Sequence, residues 1–150
     1  MLTRIALCLS FLFSPAVVSA QQVMECDWQA SARSIPEPWE AHTRTFSNGT
    51  VRLAMLDTIE PAGGWAYLMI LSPPFDELGS RQCKLIGTGD MGFSGMTFSA
   101  LTADYDPAQG LIFTLPVQFY QYGDLQMVEK TLRITLNQSS GQIDTWVLDR

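Results

Sequence analysis

Gly87, Gly89 and Gly92 match the G-x-G-x-x-G spacing of dinucleotide-binding loops. In that chemistry the pyrophosphate lies at the N-terminus of a helix that begins directly after the glycines. Here residues 93–105 include Gly95 and otherwise alternate in the manner of a β-strand. The pattern therefore favours a connecting loop, and we predict no nucleotide or other cofactor.

His42 is the single histidine and the natural candidate for a general base. A hydrolase would need a serine and an acid arranged around it, but the sequence contains no G-x-S-x-G nucleophile elbow. We interpret His42 as a strand-edge residue and keep a hydrolase with a scattered site around it as an alternative. The adjacent acids Asp76 and Glu77 are interpreted as a solvated turn.

Metal binding has two candidate signals, and neither is complete. Asp104 and Asp106 precede Gly110 as acids precede the glycine of a calcium loop. Calcium needs six to eight oxygen ligands, yet Ala108 and Leu115 stand where further oxygens would be required. The methionines offer thioethers for Cu(I), but they are scattered at core-like positions, where they usually fill gaps. We predict no metal site.

The N-terminus has the three parts of a secretory signal: Arg4 near the start, an apolar run of about 14 residues, and the small residues Ser19 and Ala20. We predict cleavage after residue 20, a periplasmic location and no membrane anchor after cleavage. The remaining 130 residues form one domain. Removing Arg4 from the 9 basic residues leaves 8 against 15 acids, a net charge of −7. That charge argues against nucleic acid and anionic membranes as partners.

Cys26 and Cys83 are the cysteines left after cleavage, since Cys8 lies in the signal segment. In an oxidising compartment an isolated pair is most simply a disulfide. The bond would tie an irregular N-terminal arm, residues 21–40, to the rest of the domain.

Beyond this arm, short β-patterned segments alternate with turn signals. Asn48-Gly49 between two such segments predicts a type I′ hairpin. Pro73-Pro74 is expected to end a strand, and Pro116 to mark an edge or a bulge. The spacing predicts an all-β fold, a small antiparallel sandwich or barrel of about eight strands. The predicted strands are 43–46, 51–56, 65–71, 81–86, 96–105, 111–115, 127–136 and 143–148.

Aromatic residues concentrate in two polar segments. Phe119, Tyr120 and Tyr122 precede Gly123, and Trp39 follows a proline-rich stretch. Aromatic side chains are enriched at protein interfaces. We therefore predict these four residues as a possible partner surface, for an unknown protein or small ligand.

Several segments resemble short secreted proteins of alphaproteobacteria that have no assigned activity. The resemblance runs through residues 34–41, 43–49, 71–74 and 81–83. It implies a periplasmic location and no particular function.

A second resemblance lies in residues 25–27 and 94–99, which are similar to the periplasmic C-type lysozyme inhibitors, a family of small β-barrels. Thr97 and Phe98 stand at that family's basic and tyrosine positions, and its Trp-Thr-Lys-Gly segment is missing here. Its inhibitory residues are therefore not carried over. The sequence predicts a non-catalytic periplasmic binding or protein-interaction module, with a hydrolase or a lysozyme-inhibitor-like protein as alternatives.

Overall fold

The computed structural model describes residues 22–149, and within that range ten strands form two antiparallel sheets of five. The predicted all-β class is confirmed, and the arrangement is that of a sandwich. The predicted signal peptide lies outside the described residues. No helix of residues 22–149 is long and apolar enough to span a membrane. The strands are β1 Gln22–Glu25, β2 Thr43–Phe46, β3 Val51–Asp57, β4 Ala66–Phe75, β5 Arg81–Gly87, β6 Gly95–Met96, β7 Thr102–Asp106, β8 Gly110–Gln121, β9 Gln126–Leu136 and β10 Ile143–Leu148.

Sequential hairpins build most of both sheets. The first sheet has the order β1-β5-β4-β3-β2, and the second has the order β10-β9-β8 followed by β6. Strand β7 pairs with β8 along the edge that β6 also uses. A 3₁₀ turn at Phe98–Ala100 separates β6 from β7. The predicted single strand 96–105 is therefore wrong: it is two short strands around a turn.

The main core lies between the sheets and follows the two-residue period of each strand. Phe113 of β8 is fully buried, and its ring lies 4.9 Å from that of Phe46 of β2. The other strands contribute branched aliphatic side chains from their inward positions. The members with no exposed surface include Val51, Leu68, Ile70, Ile86, Val117, Leu132, Ile134 and Leu136.

A second, smaller core covers the outer face of the first sheet. Leu56, Tyr67 and Leu85 point away from the second sheet and are buried under Met24 and Ile35 of the N-terminal arm. Strand β4 is thus buried on both faces. This explains why its sequence is a continuous apolar run rather than an alternation.

The N-terminal arm is more ordered than the sequence predicts. Its first residues form β1, which pairs with β5, and Glu25 makes an ion pair with Lys84 across that pairing. Farther along, a 3₁₀ turn occupies Ala32–Ser34 and a one-turn helix, α1, occupies Trp39–His42. The strand was missed because four residues flanked by polar ones give no periodic signal, and only the edge of β5 makes them a strand.

The predicted turn at Asn48-Gly49 is confirmed. Thr50 donates its N–H to the Ser47 carbonyl at 3.2 Å, and the residues between them have positive φ, 54° at Asn48 and 86° at Gly49. That geometry is the type I′ turn between β2 and β3. The connection from Asp106 to Gly110 joins β7 to β8 as a tight hairpin.

Two proline predictions are wrong in an informative way. Strand β4 continues through Pro73-Pro74 to Phe75, with a bulge in its pairing to β5. Pro116 lies in β8, an interior strand, rather than at an edge. Its carbonyl accepts from Thr97, so its missing N–H faces the same side. On that side the neighbouring strand is interrupted by the 3₁₀ turn, and no ladder hydrogen bond is lost.

The predicted disulfide between Cys26 and Cys83 is confirmed. The two Cα atoms lie 5.4 Å apart and the residues are separated by 57 positions. The bond anchors the arm over the second core, next to the β1–β5 pairing. For a loop of this length, the chain-entropy model gives a stabilisation of about 4 kcal/mol.

We expect reduction of this bond, or the paired change Cys26→Ser with Cys83→Ser, to lower the free energy of unfolding by about 2–5 kcal/mol. Chemical denaturation with and without reductant measures the loss. The double variant should be insensitive to reductant. A wild-type midpoint that does not move on complete reduction would show that the arm stays docked without the bond.

Tyr67 gives the second core a pH dependence. Burial raises the pKa of Tyr67 above its ordinary value of 10.0. Hydrogen bonds with the Gln29 side chain and the Gly92 backbone lower this pKa, but by less than burial raises it. The unfolded chain therefore loses this proton first as pH rises. The corresponding stability is complete below about pH 10 and declines above it.

We expect Tyr67→Phe to remove this alkaline decline, as measured by denaturant unfolding on both sides of that pH. Tyr105→Phe is the matched control, because Tyr105 is 61% exposed. An equally steep decline in the Tyr67→Phe variant would assign the effect to another group.

Candidate functional site

Three connections lie at one end of the sandwich, which we call the three-loop end. They are residues 58–65 between β3 and β4, residues 88–94 between β5 and β6, and residues 122–125 between β8 and β9. Members of all three segments, or of the strand ends beside them, line a cavity of about 260 Å³. Gly63 comes from the first, five residues between Thr88 and Ser94 from the second, and Phe119, Tyr120 and Tyr122 from the third region.

The cavity exists because the chain crosses from one sheet to the other at Phe93. Phe93 exchanges both backbone hydrogen bonds with Ala66 of β4, at 2.7 and 3.0 Å, and the next residue, Ser94, donates to Gln118 of β8 at 2.8 Å. Strand β8 runs on to Gln121 after its last pair with β6 at Gln118. The end of β8 therefore overhangs, with the 88–94 loop set back from it.

The overhang turns the backbone of Tyr120 towards the cavity. The carbonyls of Pro116 and Gln118 accept hydrogen bonds from the β6 side, and alternate residues of a strand direct their polar groups to the same side. The N–H and C=O of Tyr120 continue this series on the same side of β8. There the preceding residue of the neighbouring chain, Phe93, is paired with Ala66 rather than with β8. They are placed to bond a ligand group.

Aromatic rings form one wall of the cavity. Phe119 packs edge-on against the buried Phe93, with ring centroids 5.5 Å apart, and is fixed from the core side. Tyr120 and Tyr122 make a second perpendicular pair at 5.0 Å. Such pairs hold rings in defined orientations, so this wall is built before any partner arrives.

Close backbone approach at Gly92 forms the base of the 88–94 loop. A Cβ atom at this buried residue would lie 2.5 Å from the Ala66 oxygen and 2.8 Å from the Gly64 oxygen. Gly87 and Gly92 therefore serve close packing, Gly89 has a positive φ of 100°, and the chain after them enters β6 rather than a helix. This is the geometry of a connecting loop.

The serine and threonine hydroxyl groups at the cavity are already used as donors. Ser94 donates to the Gly63 carbonyl at 2.6 Å, and Thr88 donates towards the Met91 and Gly92 carbonyls at 3.2 and 3.1 Å. Asp90 is exposed and makes no hydrogen bond or ion pair with another described residue. The cavity thus presents a free carboxylate and aromatic faces, which suit binding, and hydroxyls engaged in loop structure.

The three loops are uniformly acidic. Glu60, Asp90 and Asp124 lie in them, one in each, and they contain no Lys, Arg or His. Because the loops contain no basic residue, their negative charge is not neutralised from within them. Lys130, farther along β9, donates to Asp149 at 2.8 Å, and this hydrogen bond and charge lower the pKa of Asp149.

Large apolar side chains are exposed to solvent at the three-loop end. Ile59, Tyr122 and Leu125 are 77%, 73% and 74% exposed, and Met127, paired in register with Tyr120, is 50% exposed. Ile59 and Leu125 also have positive φ, 68° and 53°. That conformation is uncommon for non-glycine residues and an outlier for a β-branched one. Strain of this kind is characteristic of functional loops.

Three of the four predicted surface residues come together here, and the fourth does not. Trp39 is 52% exposed on α1, which contacts β2, β3 and the Phe98–Ala100 turn. It borders only a shallow depression formed by residues 37–40. Asp90, Ile59 and Leu125 were missed by sequence reasoning. Apolar Ile59 and Leu125 inside polar, turn-forming segments were the available signal.

The other chemical candidates lie apart from this cavity. His42 ends α1, with its Nδ1 atom 3.1 Å from the Pro38 carbonyl, so it is a helix residue rather than a strand edge. Asp104 accepts a hydrogen bond from the Tyr105 N–H within β7, and Asp106 accepts one from the Ala108 N–H in the hairpin turn. Asp76 accepts from the backbone of Leu78 and Ser80, as a turn residue does. Among residues 22–149 no three His, Cys, Asp or Glu side chains converge as metal ligands.

Comparison with known proteins finds no matching family model, no matching curated protein and no matching solved structure. The two resemblances noted from the sequence therefore stay predictions. What this chain does must be argued from its own described residues.

Gly92→Ala tests the close approach that shapes the cavity. Because its Cβ would strike two backbone oxygens, we expect a loss of about 1–3 kcal/mol in the free energy of unfolding. Gly63→Ala is the matched control on the same cavity, since nothing lies within 4 Å of its Cβ position. It should change stability by less than about 0.5 kcal/mol. Equal effects in denaturant unfolding would refute this packing role.

Proposed function

We propose that this chain is a non-catalytic periplasmic binding module that engages a partner protein through its three-loop end. The observation that carries the proposal is a group of four large apolar side chains exposed at the three-loop end, which we call the apolar rim, beside a cavity walled by aromatic rings. Ile59, Tyr122, Leu125 and Met127 come from three segments of the sandwich, which are the 58–65 connection, the 122–125 connection and strand β9. Binding residues are often placed on loops that a rigid scaffold positions.

The state of the polar groups supports binding rather than turnover. Ser94 and Thr88 donate to backbone carbonyls, so neither is poised as an activated nucleophile. His42, the basis of the hydrolase alternative, lies on α1 and does not line the cavity. A general base must reach the proton that it removes, and the imidazole is not near these hydroxyls.

The size of the cavity supports a protein partner. Ligand pockets for drug-sized molecules enclose about 300–1,000 Å³, and this one encloses about 260 Å³. It suits one inserted side chain, with the apolar rim making the remaining contacts. Interfaces commonly combine a central pocket with surrounding residues that exclude water.

The disulfide supports a location outside the cytoplasm. A bond between Cys26 and Cys83 persists where the environment is oxidising, and the apolar N-terminal run has the form of an export signal. The periplasm accommodates both features.

Capture from envelope extract tests the proposal with a matched pair of variants. The double change Tyr122→Ser with Leu125→Asn, which we call the rim variant, removes two of the four side chains of the apolar rim, and asparagine tolerates positive φ. Leu78→Ser is the control, because Leu78 is 92% exposed in the β4–β5 connection at the opposite end. We expect the wild type and the control to capture the same protein. The rim variant should capture at least about 30-fold less of it.

The proposal fails if no captured protein depends on Tyr122 and Leu125. It fails equally if the control variant loses the same protein, because the loss would then follow exposed apolar area anywhere on the surface. Circular dichroism of all three proteins establishes that the fold is unchanged.

A further inference from the structure

We infer that the partner inserts a positively charged side chain, arginine or lysine, into the cavity between Asp90 and the Tyr120–Tyr122 pair. This inference rests on the proposed function, since it names the chemistry that the three-loop end recognises. It adds a charge requirement that the apolar rim by itself does not impose.

Electrostatics supply the first argument. Each of the three loops carries one acid, Glu60, Asp90 or Asp124, and none carries a base. Asp90 and Asp124 have no hydrogen-bond or ion-pair partner among the described residues. Complementary charge speeds encounter and selects partners, so a basic segment is favoured at this end.

The tyrosine pair supplies the second argument. Tyr122 is 73% exposed, so its ring is accessible, and its perpendicular contact with Tyr120 at 5.0 Å holds both rings in place. A cation within about 6 Å of a tyrosine face is attracted by the ring quadrupole. The aromatic wall and the carboxylate line the same cavity, so one cation can use both.

The backbone supplies the third argument. The alternation along β8 places the Tyr120 carbonyl on the β6 side of the strand, beyond the point where Phe93 crosses to Ala66, and Tyr120 lines the cavity. Guanidinium and ammonium groups are donors without acceptor atoms. A carbonyl, a carboxylate and a ring face together satisfy such a group without requiring a donor from the site.

A second copy of this chain is a poor occupant of the cavity. The chain has a net charge of −6, and two three-loop ends would bring like charges together. Most described basic side chains are already bonded to carbonyls, amides or acids. These are Arg44, Arg81, Lys84, Lys130 and Arg133.

Peptide titration isolates the charge. The full chain is expressed with export, purified from the periplasm with ¹⁵N label, and titrated with acetyl-Leu-Arg-Leu-amide. The matched probe replaces arginine by citrulline, which has the same shape and no charge. We expect saturable amide shifts in residues 88–94 and 119–124 with the arginine peptide, and at least about 10-fold weaker binding of the citrulline peptide. A lysine peptide and its norleucine analogue separate the two cations.

Variants of Asp90 test whether the cation binds next to this carboxylate. We expect Asp90→Asn to weaken the arginine peptide by roughly 10-fold and to leave the citrulline peptide unchanged. Glu77→Gln is the control, because it removes one exposed negative charge in the β4–β5 connection. Added salt should weaken the arginine peptide more than its analogue.

Equal binding of the charged and neutral peptides would overturn the inference and leave an apolar binding site in place. The absence of shifts at this end would also overturn it, as would shifts that depend on protein concentration alone, which would make a second copy the occupant. Failure of the proposed function is a separate result, since it is read from whether capture requires Tyr122 and Leu125.

Discussion

The two backbone hydrogen bonds between Phe93 and Ala66 are the constraint on which the candidate site depends. They hold the chain after β5 on the first sheet as far as Phe93. The next residue, Ser94, is already bonded to the second sheet. The β8 strand cannot be paired beyond Gln118 on that side, so its end projects and its aromatic residues border a gap. Gly92 permits the approach, because any larger residue would meet the Ala66 and Gly64 oxygens.

The two sheets are unequal, and this inequality explains much of the sequence. The central part of the first sheet is buried on both faces, since the disulfide-anchored arm covers Leu56, Tyr67 and Leu85. The second sheet is covered on one face, and its strands alternate, as Leu132 and Ile134 inside and Arg133 outside show in β9. The first sheet therefore needs apolar residues on both sides of its central strands, whereas the second sheet needs them on one side.

The candidate site was partly predictable. The concentration of Phe119, Tyr120 and Tyr122 in a polar segment indicated an interaction surface, and these residues do meet at the cavity. Trp39 had the same local signal and lies elsewhere, because local composition says nothing of which end of a sandwich a residue reaches. Asp90 lines the cavity because its loop leads into Phe93, where the chain crosses from the first sheet to the second. Its surrounding glycines suggested a nucleotide motif, and only the path of the chain after them showed a connecting loop.

The sequence by itself determined the elements whose causes are local. Alternating side chains indicated most of the strands, Asn48-Gly49 indicated the hairpin turn because both residues tolerate positive φ, and an isolated cysteine pair beyond the predicted signal peptide indicated the disulfide. Tertiary structure decided the rest: that residues 22–25 are a strand, that Pro116 is accepted in an interior strand, and that three loops enclose a cavity. These outcomes depend on hydrogen-bond partners and packed surfaces brought together from distant positions, as β1 with β5 or Phe93 with Ala66. The sequence of a short segment does not indicate such partners, because the same residues are compatible with several backbone conformations.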